Sequence, residues 1–298
     1  MNDGLVLASD SATTLRLSNG DAQVYNNADK IFNLYKGLPI GAATWGLGSI
    51  GRSSMATLAK DFRRQVTNGS SHEPNSVAGP WGIHTEGYTV EEIASKFHDY
   101  LSERLTPQLD NLAQINAERE AERNTRGIGP NDDEALKPIV LPGFWYRIAG
   151  YDAKGDDPHV FEVVFDGDKA QLLAPVSRAE PIHWGGQGEP VQRIVLGLGD
   201  SIVGGLGSVL GLGADDSVEL ARELLPYTDS QLVHPAMPIM DAIDLAEFLV
   251  DTAIKYYRFV PGAQIVGGAI ETATITRHEG FRWIKRKHFF NTSLNPHV

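Results

Sequence analysis

The stretch Asp3-Gly-Leu-Val-Leu-Ala-Ser-Asp10-Ser-Ala-Thr-Thr14 determines how the rest of the chain is interpreted. The apolar run from Leu5 to Ala8 is typical of a buried strand, and Asp3-Gly4 before it is a turn signal. Asp10 follows at the point where this strand ends, between small hydroxyl residues. The sequence therefore predicts a buried strand with one carboxylate at its end.

Further elements follow within the first seventy residues. Residues 15–29 have the pattern of a hairpin around the turn Ser18-Asn-Gly-Asp21. The segment 29–34 is predicted to be a strand that carries one cation, Lys30. Residues 41–48 form a glycine-rich run that is interpreted as a turn leading into a helix over 49–66, whose apolar residues recur at spacings of three and four.

The remaining pattern alternates groups of helices with groups of strands. Thr89 and Glu92 form a capping box that opens a helix, expected to pause at Pro107 and to resume through 123. Grouped helices and antiparallel strands are typical of the α+β class, with helices on the outer faces of sheets. The further predicted elements are strands at 139–141, 144–149, 159–165 and 170–175, a loop at 183–190, helices at 217–225 and 240–257, and a hairpin at 270–284.

Two segments of the sequence are expected to lie outside the folded core. Residues 117–137 are charged and end in Gly-Ile-Gly-Pro-Asn-Asp-Asp, which favours a surface linker. Residues 285–298 are basic and then polar, which favours a C-terminal tail. Because strands occur on both sides of the linker, we expect one domain over residues 1–298.

Composition limits the classes of function. The chain has 298 residues and a net charge of -12, which argues against nonspecific binding to nucleic acid or to an anionic membrane. It contains no cysteine, so disulfides, thiolate metal sites and cysteine nucleophiles are excluded. No signal peptide or long apolar run is evident, which favours a cytoplasmic protein. No cofactor or metal ion is expected.

Five segments in a fixed order resemble the β-type subunits of proteasomes, which belong to the N-terminal nucleophile hydrolases. They are DGLVLASDS (3–11), DKIFNLYKGLPIGAATWG (29–46), FWYRIAGYDAKGDDPHVFEVVFDGD (144–168), IVLGLGDS (194–201) and VGGAIETATITRHEGFRWI (266–284). The resemblance implies a four-layer αββα sandwich, in which two stacked antiparallel sheets lie between helix layers. It also implies assembly into a homo-oligomeric ring and hydrolysis of peptides or unfolded proteins.

In that family the nucleophile is the hydroxyl of an N-terminal threonine, whose own α-amine accepts the proton. The resemblance assigns the supporting aspartate and lysine to Asp10 and Lys30. It assigns the backbone N–H that stabilises the oxyanion to Gly46, and the lining of the substrate pocket to Thr44 and Trp45. The residues alone also allow an ordinary turn aspartate and a strand-edge lysine.

The sequence departs from the family pattern at two places. Only Met1-Asn2 precede the first matching segment, where the family has a whole strand that begins with threonine. Cleavage before Thr13-Thr14 would give a threonine start but would discard Asp10. The segment Val266-Gly-Gly stands where the family has Ser-Gly-Gly, and Ala263 stands where it has an aspartate.

The loss of that hydroxyl leaves Asp200 and Ser201 as candidates to replace it. Three hypotheses remain. The first is a threonine-type peptidase whose recorded start lies downstream of the true one. The second is a catalytically inactive subunit used for ring assembly or regulation. The third is a nucleotide-binding module that uses the glycine-rich run 197–213, although that run has neither a GxGxxG register nor a P-loop lysine.

Overall fold

The computed structural model describes residues 3–16, 22–70, 79–166, 169–176, 180–262, 264–288, 291 and 294. Helices and antiparallel sheets both occur along the chain, which confirms the α+β class. The chain divides into two compact units. The first unit comprises residues 1–31 and 177–298, and the second comprises residues 32–176.

The first unit contains a three-stranded antiparallel sheet in the order β1-β11-β12. The central strand, β11, is buried along its first five residues, which include the polar side chains of Glu271, Thr272 and Thr274. Leu5 pairs with Ile275 and Ser9 pairs with Glu271, so the sheet joins the two ends of the chain. A separate hairpin pairs β2 with β3, and the predicted turn at 18–21 lies outside the described residues. The strands are β1 (Leu5–Ser9), β2 (Thr13–Arg16), β3 (Ala22–Tyr25), β11 (Glu271–Thr276) and β12 (Gly280–Lys285).

Four helices lie in the part of the first unit that the structure describes. The longest of them packs against β1 and β11 and matches the helix predicted at 240–257. Val266 packs with Val191 of the first helix and Leu249 of the longest one in a small apolar cluster. The helices are α3 (Glu189–Val195), α4 (Asp200–Leu210), α5 (Ala214–Thr228) and α6 (Ile239–Phe259).

The glycine-rich run 197–213 forms helix α4 and its flanking turns, not a phosphate-binding loop after a strand. Its glycines allow close packing of helices. A Cβ atom at Gly207 would lie 2.2 Å from the Ser217 Oγ on α5. The run therefore lacks the strand–loop–helix arrangement of a phosphate-binding loop, which the nucleotide-binding hypothesis requires.

The second unit contains a five-stranded sheet in the order β10-β9-β8-β5-β4, with two helices packed on one face. The large aromatic residues of this face form the core. Phe97 of α2 meets Tyr146 of β8 edge-on, with ring centroids 4.8 Å apart. The elements are β4 (Ile31–Asn33), β5 (Ile40–Gly46), β6 (Ser49–Ile50), β7 (Ser53–Ser54), α1 (Met55–Gly69), α2 (Val90–Arg126), a 3-10 turn (Glu134–Leu136), β8 (Phe144–Tyr151), β9 (Pro158–Asp166) and β10 (Lys169–Pro175).

The prediction of a glycine-rich turn over 41–48 was wrong, because residues 40–46 form strand β5 beside β8. The small residues at its start are buried, with Ala42 fully inaccessible to solvent. The following helix begins at Met55, later than predicted, because residues 49–54 form the β6–β7 hairpin and the Ser54 hydroxyl caps the helix.

The helix that begins after Thr89 is longer than predicted. The Thr89 Oγ1 accepts the Glu92 N–H, as the capping box requires. The helix continues through Pro107 without a break to Arg126, so residues 117–126 of the predicted linker are helical. Arg123 is buried there and donates to the Leu136 carbonyl, which anchors the segment that follows.

Two smaller predictions were also wrong. Residues 139–141 are not a strand, and Val140 is exposed. The predicted loop 183–190 ends at Gly188, because Glu189-Pro190 already begins α3. Proline is well tolerated in the first turn of a helix, where its missing N–H has no partner.

Among the described residues, no single helix combines the length and the apolar composition that a membrane span needs. Helices α3 and α4 meet both criteria only when they are taken together, and an 80° bend separates them.

Candidate active site around Asp10 and Lys30

Asp10 and Lys30 form an ion pair in the first unit. The Lys30 Nζ donates to the Asp10 Oδ1 at 2.6 Å, and the two side chains are only 19% and 14% exposed. Asp10 follows β1 directly, and Lys30 immediately precedes β4. The fold therefore brings together the two residues that the resemblance selected from separate segments.

The second oxygen of Asp10 is held by the backbone. The Asp10 Oδ2 accepts the N–H groups of Ala12 and Gly267, both at 3.0 Å. Ser11 N–H donates to the Gly267 carbonyl, so the segments after β1 and before β11 are joined in both directions. A carboxylate that accepts an ammonium and two amides is fixed in position.

The backbone conformation at Gly268 explains why the segment 266–268 has a glycine at that position. Its φ is +80°, and a Cβ atom there would lie 2.4 Å from the Asn26 carbonyl oxygen. The chain therefore needs a glycine where this loop passes close to the Asn26 backbone. Ala263, which stands where the family has an aspartate, lies outside the described residues.

The N–H donors and the charge of the Lys30 ammonium group are the features that matter for catalysis. Within the described part of the chain, Asp10 is the one hydrogen-bond partner of the Lys30 amine. An ammonium group has three N–H donors, and the described contacts of Lys30 use one of them. A hydroxyl placed beside Lys30 would experience a fixed positive charge, which favours its ionised form.

A second lysine, Lys287, lies close to the same segments and was missed in the sequence. Its Nζ donates to the Ser11 Oγ at 2.9 Å and to the Ala28 carbonyl at 2.8 Å, and it lies 2.7 Å from the Glu271 Oε2. The start of the predicted C-terminal tail is thus fixed to the sheet. Glu271 was a usable signal in the sequence, because an acidic residue in a predicted buried strand needs a cation or hydrogen-bond donors when it is buried.

The Ser11–Lys287 contact has the spacing of a serine–lysine nucleophile pair, but its surroundings argue against that chemistry. Ser11 is inaccessible to solvent, and its hydroxyl donates to the Ala269 carbonyl. The Lys287 ammonium is paired with the Glu271 carboxylate, so it does not act as a base. We interpret this cluster as structural support for the Asp10–Lys30 pair.

The predicted substrate-pocket residues belong to the second unit. Thr44 is buried, and its Oγ1 donates to the Trp145 carbonyl at 2.9 Å. The Trp45 ring lies parallel to the Trp145 ring with the Arg147 guanidinium 4.9 Å from its centroid. Successive strand residues point to opposite faces, so Thr44 and Trp45 face opposite sides of the sheet. Gly46 is exposed at the end of β5 with a φ of +90°.

Asp200 and Ser201 lie at the beginning of α4, and their side chains bond to α3. Asp200 accepts from Gln192 at 3.2 Å, while the Ser201 Oγ contacts Glu189 and Arg193. Burial opposes ionisation of Glu189, but the hydrogen bonds from Ser201 and Arg193 outweigh it and lower the pKa of the carboxyl. Neither Asp200 nor Ser201 has a hydrogen bond to Asp10 or Lys30 in the described part of the chain.

In the ranges that the structure describes, no group of three His, Asp or Glu side chains is placed to hold a metal ion. Comparison with known proteins adds no relative. No family model matches the chain, and no curated protein is similar to it. The site is therefore interpreted from its own geometry.

Proposed function

We propose that this chain is a proteasome-β-like subunit that hydrolyses peptide bonds as a threonine-type peptidase. One observation carries the proposal: the largely buried ion pair between Asp10 and Lys30, whose carboxylate is also held by the Gly267 N–H. These three residues come from three of the segments on which the resemblance rests. The proposal requires an N-terminal threonine on a strand upstream of Asp3.

The edge of the first sheet supports such a strand. Strand β1 pairs with β11 on one side, and no described strand pairs with its other side. The Asp3-Gly4 turn precedes β1, so an upstream strand could return antiparallel along this free edge. A strand of about six residues would begin beside the far end of β1, which is where Asp10 and Lys30 lie.

The chemistry follows from that placement. The threonine Oγ would attack the amide carbonyl carbon, while its proton passes to the free α-amine. When the C–N bond breaks, the α-amine returns the proton to the leaving amine, and an ester remains on the threonine. Water then attacks the ester and restores the hydroxyl. Lys30 would stabilise the ionised hydroxyl, and Asp10 would hold Lys30 in position.

The proposal includes a four-layer αββα sandwich. Helices pack on one face of each sheet, with α6 on β1 and β11, and with α1 and α2 on the five-stranded sheet. The other face of the second sheet carries Trp45, Trp145 and Arg147, the last paired with Glu162. A cytoplasmic location and a ring are parts of the same proposal.

The alternative is a catalytically inactive, ring-forming subunit of the same fold. Two observations favour it. Val266 stands at the position of the family's serine and packs in an apolar cluster, so it contributes no hydroxyl. Asp200 and Ser201, the candidates to replace that hydroxyl, use their side chains to bond α3.

The N-terminal residue of the protein from its natural source separates the two functions. We expect Edman sequencing to give threonine first, and the intact mass to exceed that of residues 1–298. The same preparation should hydrolyse a fluorogenic peptide. A protein that begins with Met1 or Asn2 and leaves the peptide intact would contradict the peptidase and favour the inactive subunit.

Both alternatives predict a multimer. Size-exclusion chromatography with light scattering should give a mass that is a multiple of the chain mass at micromolar concentration. A monomer under those conditions would contradict ring assembly for either version of the function.

A further inference from the structure

A concave site lies in the second unit. The cavity of about 290 Å³ lies between the turn of the β6–β7 hairpin, helix α1 and helix α2. Its volume is close to the lower end of the range for small-molecule sites. Its charged lining consists of Arg52, Arg64, Arg104 and Asp61.

This lining is electropositive although the chain carries a net charge of -12. Three guanidinium groups and one carboxylate leave an excess of two positive charges around the cavity. Asp61 pairs with Arg64 at 3.2 Å. Arg52 has no ion-pair partner among the residues that the structure describes. Such a concentration of positive charge attracts anions to the cleft.

Arg104 is held in place before any ligand binds. Its guanidinium lies 3.4 Å from the centroid of the Tyr100 ring, and its Nη1 donates to the Tyr100 carbonyl at 3.0 Å. The Tyr100 carbonyl uses one of its five N–H donors. Among the described residues, Arg104 has one carboxylate partner, Glu103, at 3.7 Å. A pre-organised guanidinium loses little conformational entropy when it binds an anion.

Neutral polar groups complete the cleft. Gln65, Gln108 and Ser53 line it, and they supply donors and acceptors suited to hydroxyl groups. Gly51 also lines it, and a Cβ atom there would lie 3.0 Å from the Gln108 amide nitrogen. The glycine thus leaves the amide uncovered at the edge of the cavity.

From these features we propose that the cleft binds a small phosphate ester. A phosphate monoester carries about two negative charges at neutral pH, which matches the excess charge of the lining. Its oxygens suit the forked geometry of arginine, and the polar side chains would contact the hydroxyl-bearing part of the molecule. The proposal concerns ligand binding, and no step of the proposed peptide hydrolysis uses it.

Isothermal titration calorimetry on the full-length chain tests this inference with inorganic phosphate, ribose 5-phosphate and succinate at constant ionic strength. We expect ribose 5-phosphate to bind most tightly and succinate most weakly. Arg104→Gln and Arg64→Gln should each weaken the binding of ribose 5-phosphate by at least about tenfold, because each removes a charge-assisted hydrogen bond. Arg222→Gln is the matched control, because Arg222 pairs with Glu219 on the exposed face of α5.

Absence of binding by the phosphates, or equal binding of succinate, would overturn the proposal. So would an affinity for ribose 5-phosphate that Arg104→Gln and Arg64→Gln leave unchanged. The Arg64 side chain is 71% exposed, so its replacement by glutamine should leave the hydrophobic core of the second unit intact. The measurement needs no hydrolysis, and its result is therefore independent of the proposed peptidase activity.

Discussion

Peptide hydrolysis by the threonine-started protein is expected to disappear when Lys30 is replaced by alanine. The substitution removes the positive charge beside the proposed nucleophile, and losses of about a hundredfold to ten-thousandfold are typical when one such group is removed. The loss should appear in kcat for a fluorogenic peptide. Circular dichroism and light scattering should show that the fold and the multimer persist.

Lys255→Ala is the matched control for this prediction. The Lys255 Nζ lies 2.6 Å from the Asp251 carboxylate, the same distance as in the Lys30–Asp10 pair. Lys255 is 67% exposed, however, and water screens such a pair so that it contributes little. Its replacement should leave hydrolysis unchanged. Activity that survives Lys30→Ala would contradict the catalytic assignment of Lys30.

Replacing Lys287 with methionine is expected to destabilise the protein by about 3–5 kcal/mol, the typical result of breaking one side of a buried ion pair. The Glu271 side chain is only 2% exposed, so without Lys287 its carboxylate would be buried with no cation from the described residues at bonding distance. Ser11 and the Ala28 carbonyl would lose a donor as well. Urea unfolding at neutral pH measures the change.

Two further variants show whether the buried charge is the cause. Lys285→Met is the control, because Lys285 pairs with Glu247 but is 57% exposed, and it should have a much smaller effect. Adding Glu271→Leu to Lys287→Met removes both charges, and most of the lost stability should return. A double variant that is less stable than Lys287→Met would contradict this account of the cluster.

Local sequence signals located many of the elements. Residues with a high strand preference predicted β8 and β9, and the apolar face of 240–257 predicted α6. The same signals failed at residues 41–48, where small residues indicated a turn but tertiary packing made a buried strand. Glycine and alanine have weak intrinsic strand preferences, so the neighbouring strand β8 decides their conformation.

The sequence by itself determined the α+β class, and its resemblance to proteasome β-type subunits selected Asp10 and Lys30. A sequence motif can indicate which residues belong to a site, but it does not give the distances between their atoms. Only the tertiary structure decided that the carboxylate and the ammonium meet at 2.6 Å, that Gly267 holds the same carboxylate, and that Lys287 supports both neighbouring segments. The physical reason is that these contacts join residues separated by up to 276 positions, and chain folding alone brings them together.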